Sequence, residues 1–290
     1  MIRTIRIAGL FFIASCFLSA CNGTVSTSVE GQDGSVSVPV VDDGGTIHYL
    51  SARLCRPAGA DGTVPLVIIA HGSPADGAAR PNMKLGSCSG EAEQWFLRRG
   101  YAVMLALRRG YGATGGAWAE SFGSCAKADF VKAGRESARD LDAQVTFGTK
   151  LPGIRPYGVT VVGLSAGGWG TIAYDSLPHP LVDRFVVMAG GRGGHQHGIP
   201  NNNCAPDRLA AAAGDFGKTA RTPMLWIYAE NDTFFAPPIA DALYSAFTAN
   251  GGKASFVRAP SFRSEGHTLF TGHEGSAIWG PHVSQYLAKP

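Results

Sequence analysis

The sequence predicts an α/β fold, with a mostly parallel sheet that carries helices on both faces. The chain has 290 residues, of which 45% are hydrophobic, and this is enough for one domain with a large core. After an opening hairpin, strand patterns alternate with helix patterns along the chain. Two strand patterns, 64–70 and 101–107, are nearly continuous apolar runs, as strands covered on both faces require.

The individual elements follow from hydrophobic periodicity and from turn residues. Segments 35–41 and 46–54 alternate apolar with small or polar residues around Asp42-Asp43-Gly44-Gly45, which predicts an antiparallel hairpin. Further strands are predicted over 64–70, 101–107, 159–162, 182–189, 224–229 and 254–259, and helices over 90–99, 127–147, 239–250 and 281–288. Another helix follows the strand at 159–162 and ends before Pro178.

The N-terminal segment has the pattern of an export signal. Arg3 and Arg6 precede a short apolar stretch, 7–18, which is too short to span a bilayer comfortably. Leu18-Ser19-Ala20-Cys21 resembles the bacterial lipobox, and this resemblance implies that Cys21 is lipidated and begins the mature protein. The alternative is an ordinary secretory signal that happens to contain a cysteine.

This pattern divides the chain into three parts. We expect a lipoprotein signal peptide over 1–20, a flexible tether over 21–34 and one folded domain over 35–290. Asn22 stands where inner-membrane retention usually shows Asp. The lipobox resemblance therefore implies a lipid-anchored protein of the cell envelope, at the outer membrane if the cell has one, which faces the periplasm or the exterior.

Export would place the domain in an oxidising compartment, where cysteines can pair. Four cysteines remain after processing, and they allow three pairings: Cys55, Cys88, Cys125 and Cys204. We favour Cys88–Cys125, because both residues lie in loops expected to border the same face. The alternative is four buried or free thiols. No C-x-x-C occurs, which argues against a zinc site built from cysteines.

The central motif is Gly163-Leu164-Ser165-Ala166-Gly167, which fits G-x-S-x-G between a β-branched strand and a helix. A sharp turn here would lift the Ser165 hydroxyl above the sheet edge in a strained backbone. Both glycines would lie where a Cβ collides with neighbouring backbone. The N–H of Ala166 would face an oxyanion at the helix N-terminus. The alternative is an ordinary Gly-rich turn between strand and helix.

A serine nucleophile needs a base and a carboxylate that orients the base. Asp232 follows the strand at 224–229 and His267 follows the last strand, so the order is Ser, acid, His. Glu230 is the second choice of acid, whereas His273 and His282 are weaker candidates for the base because they lie in or near the last helix.

The oxyanion needs a second N–H donor, which is expected in the loop after the strand at 64–70. That loop reads His71-Gly72-Ser73-Pro74. Pro74 has no N–H, so Ser73 is the predicted donor. His71 is expected to shape the loop and not to act as a base. The alternative is a simple tight turn.

Together these residues resemble the α/β-hydrolase family, and more narrowly its dienelactone-hydrolase and prolyl-oligopeptidase-like esterase branches. The resemblance spans roughly 46–287 and rests on His71-Gly72-Ser73, Arg99-Gly100-Tyr101, Arg109-Gly110-Tyr111-Gly112, 163–168, Asp232 and Gly266-His267. It implies the α/β-hydrolase fold and acyl transfer without a metal or other cofactor. The dienelactone branch usually has a cysteine nucleophile, whereas this chain has Ser165.

The remaining patterns bear on the substrate. A long loop over 190–218 is expected to lie over the site and offers little apolar area, so short or polar esters or amides are the predicted substrates. His195 and His197 lack an acidic third ligand, which favours a solvated loop over a metal site. The Arg108-Arg109 pair could steer an anionic substrate or position a loop.

Three functions are compatible with these patterns. The first is a serine carboxylesterase; the second is a serine peptidase or amidase, which would show an acidic pair for a substrate amine; the third is a surface lipoprotein without catalysis. The net charge of +3 and the absence of a long basic run argue against nucleic-acid binding.

Overall fold

A computed structural model describes residues 34–289. The strands are β1 (Gly34–Val41), β2 (Ile47–Cys55), β3 (Leu66–Ala70), β4 (Ala102–Ala106), β5 (Val159–Leu164), β6 (Val182–Met188), β7 (Met224–Ala229) and β8 (Ala254–Ala259). The helices are α1 (Glu91–Leu97), α2 (Phe130–Gly148), α3 (Ala166–Asp175), α4 (Pro206–Gly217), α5 (Pro237–Ala249) and α6 (Gly275–Leu287). The predicted signal peptide over 1–20, Cys21 and almost all of the tether lie outside the described residues.

The described strands form one sheet of eight strands in the order β1-β2-β4-β3-β5-β6-β7-β8. The hairpin β1–β2 is antiparallel, and β2 also runs antiparallel to β4. All later neighbours are parallel, from β4–β3 through to β7–β8. The predicted α/β fold with a mostly parallel sheet is therefore confirmed. The carboxyl ends of β3, β5 and β7 meet at one edge, where sites of such sheets form.

Two apolar layers cover the sheet, one on each face. The strands β3, β4 and β7 are buried along their whole length, which explains their continuous apolar runs. One layer contains the buried sides of α2, α3, α4 and α5, and the other contains those of α1 and α6. Between residues 34 and 289, no helix has the length and apolar character that crossing a membrane requires.

Two segments differ from the sequence prediction because packing outweighs local signals. Residues 190–218 do not form one long loop, since α4 occupies the second half of that range. Leu209 and Phe216 on this helix are buried in the core, so the helix does not cover the site. Helix α6 begins at Gly275 and continues through Pro281. The fully buried side chains of Trp279 and Val283 flank the proline and hold the helix against the sheet.

The structure contains disulfides, but the predicted Cys88–Cys125 pairing is wrong. Cys55 pairs with Cys88, and Cys125 pairs with Cys204, with Cα–Cα distances of 5.6 and 5.1 Å. Cys55 and Cys88 belong to the apolar layer of α1 and α6, whereas Cys125 packs against the opposite layer, which contains Cys204. Each disulfide therefore links two segments that pack in the same apolar layer, whereas Cys88 and Cys125 lie on opposite faces of the sheet.

Peptide mapping of the non-reduced protein should recover the linked pairs Cys55–Cys88 and Cys125–Cys204. Cys125→Ser combined with Cys204→Ser removes a link between residues 79 positions apart. The entropy gained by the unfolded chain then predicts a loss of about 4 kcal/mol in unfolding free energy, measured by urea denaturation. A peptide that joins Cys88 to Cys125 would contradict this assignment.

Candidate active site

The turn between β5 and α3 places Ser165 in a strained backbone conformation. Its φ and ψ angles are 54° and −118°, in a region that residues with a side chain rarely adopt. A Cβ on Gly163 would lie 2.3 Å from the carbonyl oxygen of Gly167, and a Cβ on Gly167 would lie 2.3 Å from that of Ala70. Both glycines of the motif are therefore required by close backbone contact.

Ser165 opens onto a cavity of about 130 Å³. Ser73 and Ala166, the predicted oxyanion donors, line the same cavity. The aromatic and cationic part of the wall includes Arg80, Trp118, Arg192 and Phe234. The structure thus brings the predicted nucleophile and both predicted donor residues to one concave surface, at the carboxyl ends of β3 and β5.

His71 fixes the peptide that carries the predicted Ser73 donor. Its Nδ1 lies 2.6 Å from the carbonyl oxygen of Gly72, and its Nε2 accepts the N–H of Arg108 at 3.1 Å. Nε2 must therefore be unprotonated, so Nδ1–H donates to Gly72. The Gly72 carbonyl and the Ser73 N–H belong to one planar trans peptide and point in opposite directions. His71 thereby sets the direction of the Ser73 N–H.

Burial, assisted by the positive charge of Arg108, lowers the pKa of His71 to about 3. The ring is thus neutral at ordinary pH, as its two hydrogen bonds require. This agrees with the expectation that His71 shapes the loop.

The structure pairs the predicted base with the predicted acid. Nδ1 of His267 lies 2.9 Å from Oδ2 of Asp232, whose carboxylate is fully buried. The other oxygen, Oδ1, accepts the N–H groups of Phe234 and Phe235, each at 2.8 Å. This arrangement orients the imidazole and leaves Nε2 free of the carboxylate. Glu230, the second choice of acid, is exposed.

Glu265 is a supporting residue that sequence reasoning missed. Its Oε1 accepts the N–H of His267 and the N–H of Thr233, both at 3.0 Å. Its Oε2 accepts the hydroxyl of Thr233. One carboxylate therefore ties the loop after β7 to the loop after β8. Its position two residues before His267 was the available signal, because a carboxylate there can cap a short turn.

His195 belongs to the support of His267. Its ring stacks on Phe234 with centroids 3.5 Å apart, and Phe234 stacks on His267 at 4.3 Å. Its Nε2 lies 2.8 Å from the hydroxyl oxygen of Thr233. Across residues 34–289, no group of three or more His, Cys, Asp or Glu side chains could hold a metal ion.

Arg108 and Arg109 position loops and do not line the cavity. Arg108 pairs with the fully buried Glu120 and donates to the carbonyl oxygen of His71 at 2.8 Å. Arg109 donates to the two carboxylate oxygens of Asp140 through Nε at 2.6 Å and its N–H at 2.8 Å. The cationic groups that face the cavity come from elsewhere in the chain, namely Arg80 and Arg192.

Comparison with known proteins identifies the fold. No protein-family model and no curated sequence matches the chain. Dipeptidyl peptidase 4 of Porphyromonas gingivalis matches with a TM-score of 0.61 and 14% identity, over 88% of this chain and 35% of that chain. An esterase of Pyrococcus furiosus matches with a TM-score of 0.58 and 16% identity, over 89% of this chain and 93% of the esterase. An acylaminoacyl peptidase of Pyrococcus horikoshii matches with a TM-score of 0.60 and 14% identity, over 89% of this chain and 40% of the peptidase.

These similarities establish the fold, which is that of the α/β-hydrolases. The chain covers most of the esterase, but it spans only about a third of the dipeptidyl peptidase and less than half of the acylaminoacyl peptidase. In the structure Ser165 follows β5, Asp232 follows β7 and His267 lies in the segment after β8.

His71→Gln should reduce the acid sensitivity of the fold, because glutamine can supply both a donor and an acceptor without titrating. In the wild type, the unfolded chain protonates this histidine below about pH 6.5, whereas the folded chain does not do so until about pH 3. Stability therefore falls as pH drops through this window, by up to about 1.4 kcal/mol per pH unit. Urea unfolding at pH 7, 5.5 and 4 should show that the unfolding free energy falls less steeply with decreasing pH in the variant than in the wild type. An equally steep fall in both proteins would contradict a neutral His71.

Proposed function

We propose that the protein is a serine hydrolase that cleaves carboxylic esters of short or polar substrates through an acyl-enzyme. The observation that carries this proposal is the pair formed by His267 Nδ1 and the buried Asp232, beside a cavity that exposes Ser165 on a strained turn. A buried carboxylate holds the imidazole in the tautomer that can accept a proton at Nε2. Such an arrangement is costly to build, which supports a catalytic role.

The proposed reaction has two steps, and neither needs a cofactor. Ser165 Oγ attacks the ester carbonyl while His267 Nε2 takes its proton and then gives it to the leaving alcohol. Asp232 stabilises the imidazolium. The N–H groups of Ser73 and Ala166 bind the tetrahedral oxyanion. Water, activated by His267, then attacks the acyl group and releases the acid.

The preference for short or polar acyl groups is supported by the polarity of the cavity. Two arginines contribute to its wall, and a long apolar chain would have to displace water from them. The apolar part of the wall is aromatic and lies close to Ser165, where it can contact a short acyl group. The apolar residues of the 190–218 segment are partly buried in the core through α4 and do not extend this surface.

A peptidase or amidase on the same residues is the second candidate, because two of the structural neighbours carry peptidase names. An aminopeptidase would need acidic side chains to bind the substrate amine. The cavity beside Ser165 is instead lined by Arg80 and Arg192, and no Asp or Glu of residues 34–289 lines it. This charge favours the ester hydrolase over an aminopeptidase. The third candidate, a lipoprotein without catalysis, predicts that Ser165 is unreactive.

Ser165→Ala and His267→Ala should each lower kcat for a short ester by on the order of 10³-fold or more, with the fold retained. Asp232→Asn should keep the loop in place, since its amide oxygen can still accept the N–H groups of Phe234 and Phe235. It should still lower kcat, though less than the other two variants, because the amide NH2 then faces Nδ1 of His267 and favours the tautomer with a protonated Nε2. A fluorophosphonate probe should label the wild type and not Ser165→Ala.

The control for this prediction is Ser245→Ala, an exposed position on α5. Labelling that persists in Ser165→Ala, or near-normal turnover by that variant, would refute the mechanism. If Asp232→Asn is harmless while Glu230→Gln is not, Glu230 is the acid.

The value of kcat/KM for p-nitrophenyl esters should be highest for acyl groups of about two to four carbons, because a longer apolar chain would have to displace water from Arg80 and Arg192 in the cavity wall. The measurement is a series from acetate to palmitate at constant detergent. A value that rises steadily with chain length would show that an apolar tunnel exists.

We also propose that Cys21 carries a lipid and anchors the domain in the cell envelope, at the outer membrane if the cell has one. This proposal rests on Leu18-Ser19-Ala20-Cys21 alone. Cys21→Ser should block processing or release the protein from the membrane fraction. Mass spectrometry that finds an unmodified N-terminus beyond residue 21 would exclude the anchor.

A further inference from the structure

We propose that the cavity contains a carboxylate-binding subsite formed by Arg192 and Arg80, so that preferred substrates carry a carboxylate close to the scissile ester. The inference deepens the proposed function and rests on it, because the subsite lies in the cavity of Ser165. The argument comes from the positive charge that lines the cavity, from an unused donor on Arg192 and from an unpaired second arginine.

The first observation is a buried ion-pair cluster that holds Arg192 in place. Glu120 is fully buried and pairs with both Arg108 and Arg192. Burial alone would favour the neutral acid, but these two guanidinium groups lower the pKa of Glu120, which is therefore ionised. Tyr111 also donates its hydroxyl to this carboxylate, at 3.0 Å. Arg109, the next residue after Arg108, pairs with both Glu136 and Asp140, so the wider cluster holds three guanidinium groups and three carboxylates.

The member of this cluster that lines the cavity is Arg192, which lies in the wall next to Ser165. No carboxylate of residues 34–289 lines that cavity, so the charge that a substrate meets there is positive. An anionic group of the substrate would therefore be attracted to this position.

The second observation is that Arg192 keeps an unused hydrogen-bond donor. Arg192 is only 3% exposed, and Nη2 donates to Glu120. Its buried Nε has no hydrogen-bond partner among the described residues. A guanidinium has five N–H donors in a planar fork that matches a carboxylate. The contact with Glu120 thus holds the group at the wall of the cavity without using all of its donors.

The third observation is a second guanidinium on the same wall. The guanidinium carbon of Arg80 lies 3.8 Å from the ring centroid of Trp118, and that of Arg192 lies 5.8 Å from it. The two cations thus flank one indole ring. Trp118 is itself held by a hydrogen bond from Nε1 to the hydroxyl of Tyr111, at 3.2 Å. Arg80 has no ion pair within residues 34–289, so its charge is free to meet a ligand.

The position of the arginines selects among anions. Arg80 and Arg192 line the same cavity as Ser165, which favours a carboxylate two or three carbons from the ester over one at the end of a long chain. The half-ester of a short dicarboxylic acid has this form. A phenolic ester whose leaving group bears a carboxylate is the corresponding case on the other side of the scissile bond.

The test compares matched anionic and neutral substrates. Ethyl hydrogen glutarate is compared with its neutral amide, ethyl 5-amino-5-oxopentanoate, and 4-acetoxybenzoate with 4-acetoxybenzamide, in a pH-stat at low salt. In at least one of the two pairs, we expect kcat/KM to be at least 10-fold higher for the acid than for its neutral amide. Arg80→Gln should reduce that ratio at least threefold, as should Arg192→Lys, which keeps the charge but loses the planar fork. Arg258→Gln is the control, because this exposed arginine pairs with Asp241 and does not line the cavity.

A binding measurement separates this inference from the proposed function. Glutarate is titrated calorimetrically into Ser165→Ala and into the same protein with Arg80→Gln, and we expect the second variant to bind at least 10-fold more weakly. Ratios near one for both substrate pairs, or equal glutarate affinity in the two proteins, would overturn the subsite even if the enzyme cleaves esters. If the wild type cleaves no ester but glutarate still binds to Ser165→Ala and more weakly once Arg80→Gln is added, only the proposed function is overturned.

Discussion

The close approach of three backbone segments at the end of β5 is the constraint on which the site depends. The chain turns sharply at Ser165 because α3 starts almost against β3, so that neither Gly163 nor Gly167 leaves space for a side chain. The burial of the neighbouring strands β3 and β5 offsets the conformational free energy that this strained turn costs. The same contact carries the loop of His71 and Ser73 up to the nucleophile, since that loop continues from β3.

Two carboxylates, one half-buried and one fully buried, connect loops that the sheet alone would leave independent. Glu265 joins the loop of Asp232 to the loop of His267, and Glu120 joins the segment around Arg108 to the segment of Arg192. Carboxylates removed from water need hydrogen-bonding partners. Each therefore fixes the relative position of two loops, and the rigidity that catalysis needs comes from these pairs.

Local signals predicted the fold and part of the site, because strand patterns and the turn motif depend on neighbouring residues. The strands at 224–229 and 254–259 were predicted with the bounds observed, and Asp232 and His267 follow directly from them. The disulfide pairing and the contacts of Glu265 and Arg192 depend on which loops meet in space, which no sequence spacing encodes. Helix α4 was missed although Pro206 and Asp207 are typical of a helix start, because the preceding Gly- and Asn-rich residues suggested one loop.

The disulfide Cys125–Cys204 has a consequence for how the cavity can open. The segment that carries Arg192 and His195 leaves the sheet at the end of β6 and is cross-linked at Cys204, so both of its ends are held. Such a segment can flex as a short closed loop but cannot swing aside as a flap. The segment that carries Arg80 is held in the same way, because it leaves the sheet at the end of β3 and is cross-linked to β2 at Cys88. The two disulfides therefore limit how far either arginine can move when ligands enter and leave the cavity.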